Sequence, residues 1–203
     1  MKKLFKTAAL LTLLVTMFAG CTGDSGLPTI NTPFYKANFD PSEVQNNTVL
    51  DLTGWTNFCE AGTVKWYERI YQNDGYAQFN PYNSGNASSI GWLITPAINL
   101  VGHKDAKLSF QTATNFVSSV DNKVEVFISS DYDGADVMGA TWTKLSARVA
   151  DNTTNGYIFI SSGEIDLSGY NDKTVHIGFR AVGNSSTLTG LFQVDKLNVY
   201  TSN

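Results

Sequence analysis

Two stretches of this chain alternate residue by residue between the two sides of an extended backbone, and that pattern constrains its fold more than any other feature. Val124, Val126 and Ile128 alternate with Lys123, Glu125 and Phe127. Val175, Ile177, Phe179 and Ala181 alternate with Thr174, His176, Gly178 and Arg180. Successive side chains of a strand point to opposite faces, so a period of two predicts sheets with one face buried. Residues 107–110 repeat the pattern, and residues 157–160 and 197–200 add β-branched and aromatic runs of strand character. Clusters of Asn, Asp, Gly and Ser at 83–86, 131–134, 152–156 and 183–186 punctuate these runs as turns. Many short strands with such punctuation, and no sustained helical stripe after the first residues, predict an all-β jelly-roll β-sandwich. Trp92-Leu93-Ile94-Thr95-Pro96 reads as the start of a strand, with Pro96 at an edge or bulge because it lacks a ladder donor.

The first residues obey a different logic. Lys2, Lys3 and Lys6 precede an apolar run at 8–18, then Ala19, Gly20 and Cys21. A basic start, an apolar core too short to span a bilayer and small residues before a cut site describe a secretory signal peptide over 1–20. Phe18-Ala19-Gly20-Cys21 resembles a bacterial lipobox, which implies diacylglycerol on the Cys21 thiol and cleavage before it. The Gly-, Ser-, Thr- and Pro-rich stretch that follows reads as a tether, giving a lipidated segment over 21–32 and one domain over 33–203. The expected location is the outer membrane, on its periplasmic or its cell-surface side. Removing the leader's three lysines leaves 11 basic residues against 18 acidic ones, a net charge of about −7. That balance argues against a nucleic-acid partner, whose usual footprint is a basic face. With Cys21 acylated, Cys59 has no partner in the chain and reads as a small buried apolar residue.

Trp66 and Tyr67 are neighbours in sequence, so one faces out if the other faces the core. Downstream lie Tyr71, Tyr76, Phe79 and Tyr82 in a stretch rich in Asn and Gly. Aromatic faces beside planar amides are the chemistry of a carbohydrate site, which makes Trp66, Tyr67, Tyr76 and Tyr82 the candidate ligand residues. The alternative is that Tyr and Asn are simply common in exposed β-loops. Trp55, Trp92 and Trp142 read as core. Asp131, Asp133 and Asp136 share one loop around Gly134 and could offer hard oxygens to calcium, a polar hairpin loop being the other reading. His103 and His176 lack metal-ligand spacing and read as solvated residues. No nucleophile, zinc or phosphate-loop motif occurs, so no catalysis is expected.

Four groups of residues occur in order. They are Gly54-Trp55 with Lys65-Trp66; Gly91-Trp92-Leu93-Ile94-Thr95-Pro96 with Lys107-Leu108-Ser109-Phe110; Val124-Glu125-Val126-Phe127-Ile128 with Trp142-Thr143-Lys144; and Ile165-Asp166-Leu167 with Val175-His176-Ile177-Gly178-Phe179 and Phe192-Gln193-Val194-Asp195. Together they resemble the choice-of-anchor J domain of secreted Bacteroidetes proteins, related to cleaved-adhesin domains. The resemblance implies a galactose-binding-like or MAM-like jelly roll and says little about activity. Galactose-binding-like sandwiches often hold a structural Ca2+ between first and last strands, which by resemblance points to Asp40 and Asp195. The expected function is a lipid-anchored envelope module that binds a glycan or a host ligand. The alternative is a structural or assembly component with a protein partner.

Overall fold

The computed structural model describes residues 32–201; the expected signal peptide, Cys21 and the expected tether up to residue 31 lie outside the described residues. Fourteen strands run in chain order: β1 (Tyr35–Ala37), β2 (Thr48–Val49), β3 (Thr56–Ala61), β4 (Trp66–Tyr71), β5 (Asp74–Phe79), β6 (Ser89–Ile94), β7 (Ile98–Asn99), β8 (Ala106–Asn115), β9 (Lys123–Ser129), β10 (Thr143–Lys144), β11 (Ile160–Ser161), β12 (Ile165–Asp166), β13 (Thr174–Gly183) and β14 (Leu191–Thr201). A single 3-10 turn, Ser168–Tyr170, is the only helical element among the described residues, and none is long and apolar enough to cross a membrane.

The strands form two antiparallel sheets. The larger runs β11-β8-β14-β5-β4-β2, with β1 on β14 and β12 on β8; the smaller runs β10-β9-β13-β6-β3, with β7 on β13. This is the expected jelly-roll sandwich. Chain neighbours such as β13 and β14 lie in different sheets, and the core fills the space between them. Trp66, Phe79, Phe110, Phe179 and Phe192 are its largest fully buried side chains. Phe110 of one sheet meets Phe179 of the other edge-on, with ring centroids 5.1 Å apart. The period-two reading holds through β9 and β13, whose Val124, Val126, Ile128, Val175, Ile177 and Phe179 all enter this core.

Pro96 lies between β6 and β7, and both of those strands pair with β13. The proline therefore interrupts a strand, and Trp92 sits in its middle, at the fourth residue of β6, not at its start. Residues 157–159 depart further from the expectation. They form no ladder, and only Ile160–Ser161 pairs with β8. Tyr157 takes a left-handed φ of 62° and its N–H donates to the Thr114 carbonyl at 3.0 Å, so the run folds back across the sheet instead of extending it.

The smaller sheet is covered on both sides. Trp92, Ile94, Tyr132 and Val137 form a second buried cluster on its outer face, with Phe58, Phe127 and Trp142 packed against it. Thus Trp92 is buried as expected but outside the central core, and Trp142 is only half-buried against the same cluster. His176 belongs to this region too: its Nδ1 lies 2.8 Å from the Thr95 carbonyl and its ring meets Tyr132 edge-on. His103 stacks on Phe34 with centroids 3.7 Å apart. Neither histidine is the free, solvated residue expected. Cys59 is half-buried and its thiol donates to the Val64 carbonyl at 3.2 Å.

β5 fits under the loop that follows β1 only because its second residue is glycine. A Cβ on Gly75 would meet the Phe39 carbonyl oxygen at 1.8 Å. Backbone cannot swing aside as a side-chain tip can, so Gly75→Ala is expected to cost about 2 kcal/mol or more. A thermal melt checks this, and an unchanged Tm would mean that the loop after β1 yields freely.

Candidate functional site

The outer face of the larger sheet is open where that of the smaller sheet is covered. Its central rows follow from strand register. Tyr67 of β4 pairs with Gln78 of β5, which pairs with Gln193 of β14, which pairs with Ala113 of β8. One row along, Arg69 pairs with Tyr76. Side chains directly across a ladder share a face, so these residues form one continuous surface.

Gln193 donates through Nε2 to Gln78 Oε1 at 3.0 Å, and both amides are nearly buried. Their remaining polar atoms line a cleft of about 690 Å3 together with Arg69, Tyr71, Tyr76, Asn80, Tyr157 and Phe159. It adjoins two further depressions. One, of about 390 Å3, includes Asn47, Lys65, Tyr67, Arg69, Gln78 and Tyr82. The other, of about 470 Å3 and mostly apolar, includes Asn80, Tyr82, Phe116, Tyr157, Thr189 and Leu191. Asn80 lines all three, so they form one groove.

The far wall of the groove is held by backbone. The Gly156 and Tyr157 N–H groups both donate to the Thr114 carbonyl, and the Asn155 side chain exchanges hydrogen bonds with the Val117 backbone at 2.8 and 2.9 Å. Phe159 meets the Tyr76 ring at 5.8 Å and Phe116 meets Tyr157 at 6.2 Å. Phe116 and Tyr157 both have φ of 62°, a conformation that costs energy for a bulky residue and recurs where a side chain must be presented. Both stay exposed, at 64% and 47%. Burial pushes the Tyr76 hydroxyl up from its usual value, with the Arg69 charge opposing, so it is a neutral donor at physiological pH.

Of the four aromatic residues singled out in sequence, the structure brings Tyr67, Tyr76 and Tyr82 to this groove. Trp66 is a correction. It is fully buried, its indole N–H donates to the Gly91 carbonyl at 3.1 Å, and it cannot touch a ligand. The groove also holds Arg69, Gln78, Gln193, Phe116, Tyr157 and Phe159, none of them evident beforehand. The far-wall residues were hidden by reading 157–160 as a strand. The glutamines were hidden because they become a pair only through strand register.

The acidic candidates separate into two cases. Asp131, Asp133 and Asp136 are not gathered as a ligand set. Asp131 accepts from Ser129 and the Thr141 N–H, Asp133 from the Ala135 and Asp136 N–H groups, and Asp136 from the Gly139 N–H. These are the hydrogen bonds of a polar loop, and they hold the Asp131 and Asp133 carboxyls below their usual values. Among the described residues no three His, Cys, Asp or Glu side chains could hold a metal together. Asp195 differs. It follows Val194 on β14, where one extra residue before Asn198 makes a bulge. Its carboxylate is fully buried, and neither oxygen has a hydrogen-bond partner. Lys196 Nζ stands 3.6 Å from it and 3.3 Å from Asp74. Burial pushes the Asp195 carboxyl up to about 6. An orphaned buried carboxylate suits a hard cation. Asp40, bonded to Ser42 and exposed, lines the neighbouring depression with Asp74 and Lys196.

The fold is a β-sandwich like that of cleaved-adhesin domains. Three solved cleaved-adhesin domains of Lys-gingipain are similar to it. The K1 domain, from Porphyromonas gingivalis W83, aligns at 15% identity and a TM-score of 0.50 over 83% of this chain and 98% of that one. The K2 domain aligns at 13% and 0.53 over 82% and 98%, and the K3 domain, from Porphyromonas gingivalis, at 12% and 0.52 over 84% and 100%. No curated protein matches the sequence. Residues 99–201 match the family described as "Domain of unknown function (DUF5017)", and the chain belongs to that family.

Proposed function

We propose that this protein is a binding module that takes a glycan along the groove on the open face of its larger sheet. The observation that carries this reading is the arrangement of that face: exposed aromatic rings flank a floor of paired amides. Sugar rings offer C–H faces to aromatic rings and hydroxyls to planar donors and acceptors. The far wall is pinned to β8, so binding orders little that is not already ordered. The cleaved-adhesin likeness and the exposed groove support a role in capture rather than turnover.

In this reading the chain is exported, cleaved before Cys21 and held to the outer membrane by lipid on that residue. A structural Ca2+ would take Asp195 as a ligand, with Asp40 the other residue the resemblance points to, and would fix the bulge of β14.

A glycan array probed with the purified protein, with and without calcium, tests the function. Binding to one glycan class is expected, and Tyr76→Ala and Tyr157→Ala should each weaken it about tenfold, the loss typical of an aromatic anchor. Absence of binding to any glycan, together with stable co-purification of another envelope protein, would replace this reading with the assembly role.

A further inference from the structure

We infer that the groove selects an acidic polysaccharide, a chain carrying uronate carboxylates, and that Arg69 reads the charge. This rests on the glycan reading above and specifies its ligand. Arg69 stands where two of the depressions meet, lining both. Its Nη1 donates to Asn47 Oδ1, which holds one side of the guanidinium in place. Its Nε is buried and has no partner. The guanidinium is thus held by Asn47 and by a hydrogen bond shared with the Tyr76 hydroxyl, while its Nε donor stays unpaired. The edge of an arginine that carries Nε presents two parallel N–H groups and matches a planar carboxylate in two simultaneous hydrogen bonds.

Charge around the groove points the same way. Arg69 and Lys65 are the only charged side chains lining its three depressions, and no Asp or Glu lines any of them. This holds in a protein whose acidic residues outnumber its basic ones. A neutral glycan needs neither the fork nor a groove cleared of acids. An anionic chain needs both, because an acid in the wall would repel it at close range. A carboxylate is favoured over a sulfate ester because it is planar like the guanidinium.

The experiment is titration calorimetry of the full chain with a panel of uronate polymers (polygalacturonate, alginate, hyaluronan and heparosan). Each is paired with its carboxyl-reduced form, and a sulfated galactan is added. At least one uronate polymer is expected to bind ten or more times as tightly as its reduced partner, less so as salt rises. In Arg69→Gln that preference should fall towards one, and Arg69→Lys should restore only part of it, since an ammonium lacks the fork. Equal binding of a polymer and its reduced form, or a preference that survives in Arg69→Gln, overturns the inference and leaves the glycan groove standing. Preference for the sulfated galactan over every uronate overturns the carboxylate assignment. Failure of all polymers, reduced or not, counts against the groove reading itself. The comparison of paired polymers on the unmodified protein needs no variant to fold.

Discussion

Trp66→Ala is expected to destabilise the domain by about 3–5 kcal/mol, the usual loss when a large aromatic side chain leaves a packed core. Trp66 is fully buried, packs on Phe79 at a centroid distance of 5.7 Å and satisfies the Gly91 carbonyl. Its removal leaves a cavity and an unpaired acceptor together. Tyr67→Ala, at the next position, should behave in the opposite way. Tyr67 is 38% exposed on the groove side, so Tm should hold to within a few degrees while glycan affinity falls. Chemical denaturation and a binding titration on both variants separate the two effects. A Trp66→Ala protein that melts like the parent would contradict the packing described.

The second large effect lies at Asp195. Its carboxyl is pushed up to about 6 by burial first, with the nearby Asp74 charge adding to the rise and Lys196 opposing it. In the unfolded chain the group titrates near the ordinary 3.8. The folded state therefore holds the proton more tightly. The stability this confers is complete below the unfolded value and is lost as pH rises through about 6. Full linkage at about 1.4 kcal/mol per unit is reduced by screening from Lys196 and solvent, leaving roughly 1–2 kcal/mol lost between mildly acidic and neutral pH. Asp195→Asn should flatten that slope and raise Tm at neutral pH. If calcium binds there, millimolar calcium should raise the Tm of the parent protein at neutral pH and leave that of Asp195→Asn unmoved. A parent protein whose stability is flat from pH 4 to 7 would show that the carboxyl finds a partner in solution. A calcium effect that persists in Asp195→Asn would place the ion elsewhere.

The sandwich was legible in the sequence because alternation is a local property. The pattern at β9 and β13 needs no distant partner to be read, and both strands lie where it put them. The groove was legible only in part, because it depends on register and on a loop that crosses the sheet. Tyr67, Tyr76 and Tyr82 stood out by composition. The pairing of Gln78 with Gln193 spans 115 residues, and nothing near either one announces it. Residues 157–159 have the composition of a strand, and two N–H bonds to a single carbonyl of β8 turn them into a wall. At Trp66-Tyr67 the sequence required that one residue face out and left open which one. The tryptophan went inward because its indole N–H finds an acceptor there.

The second apolar cluster over the smaller sheet has a consequence for how this molecule meets its surroundings. With that side sealed by Trp92, Tyr132 and Val137, and the other side bearing the groove, the domain is a palm with an insulated back. On the glycan reading a long polymer would lie across such a palm, and many copies would share one strand. Attachment to a surface would then rest on the number of engaged palms rather than on the grip of any one of them.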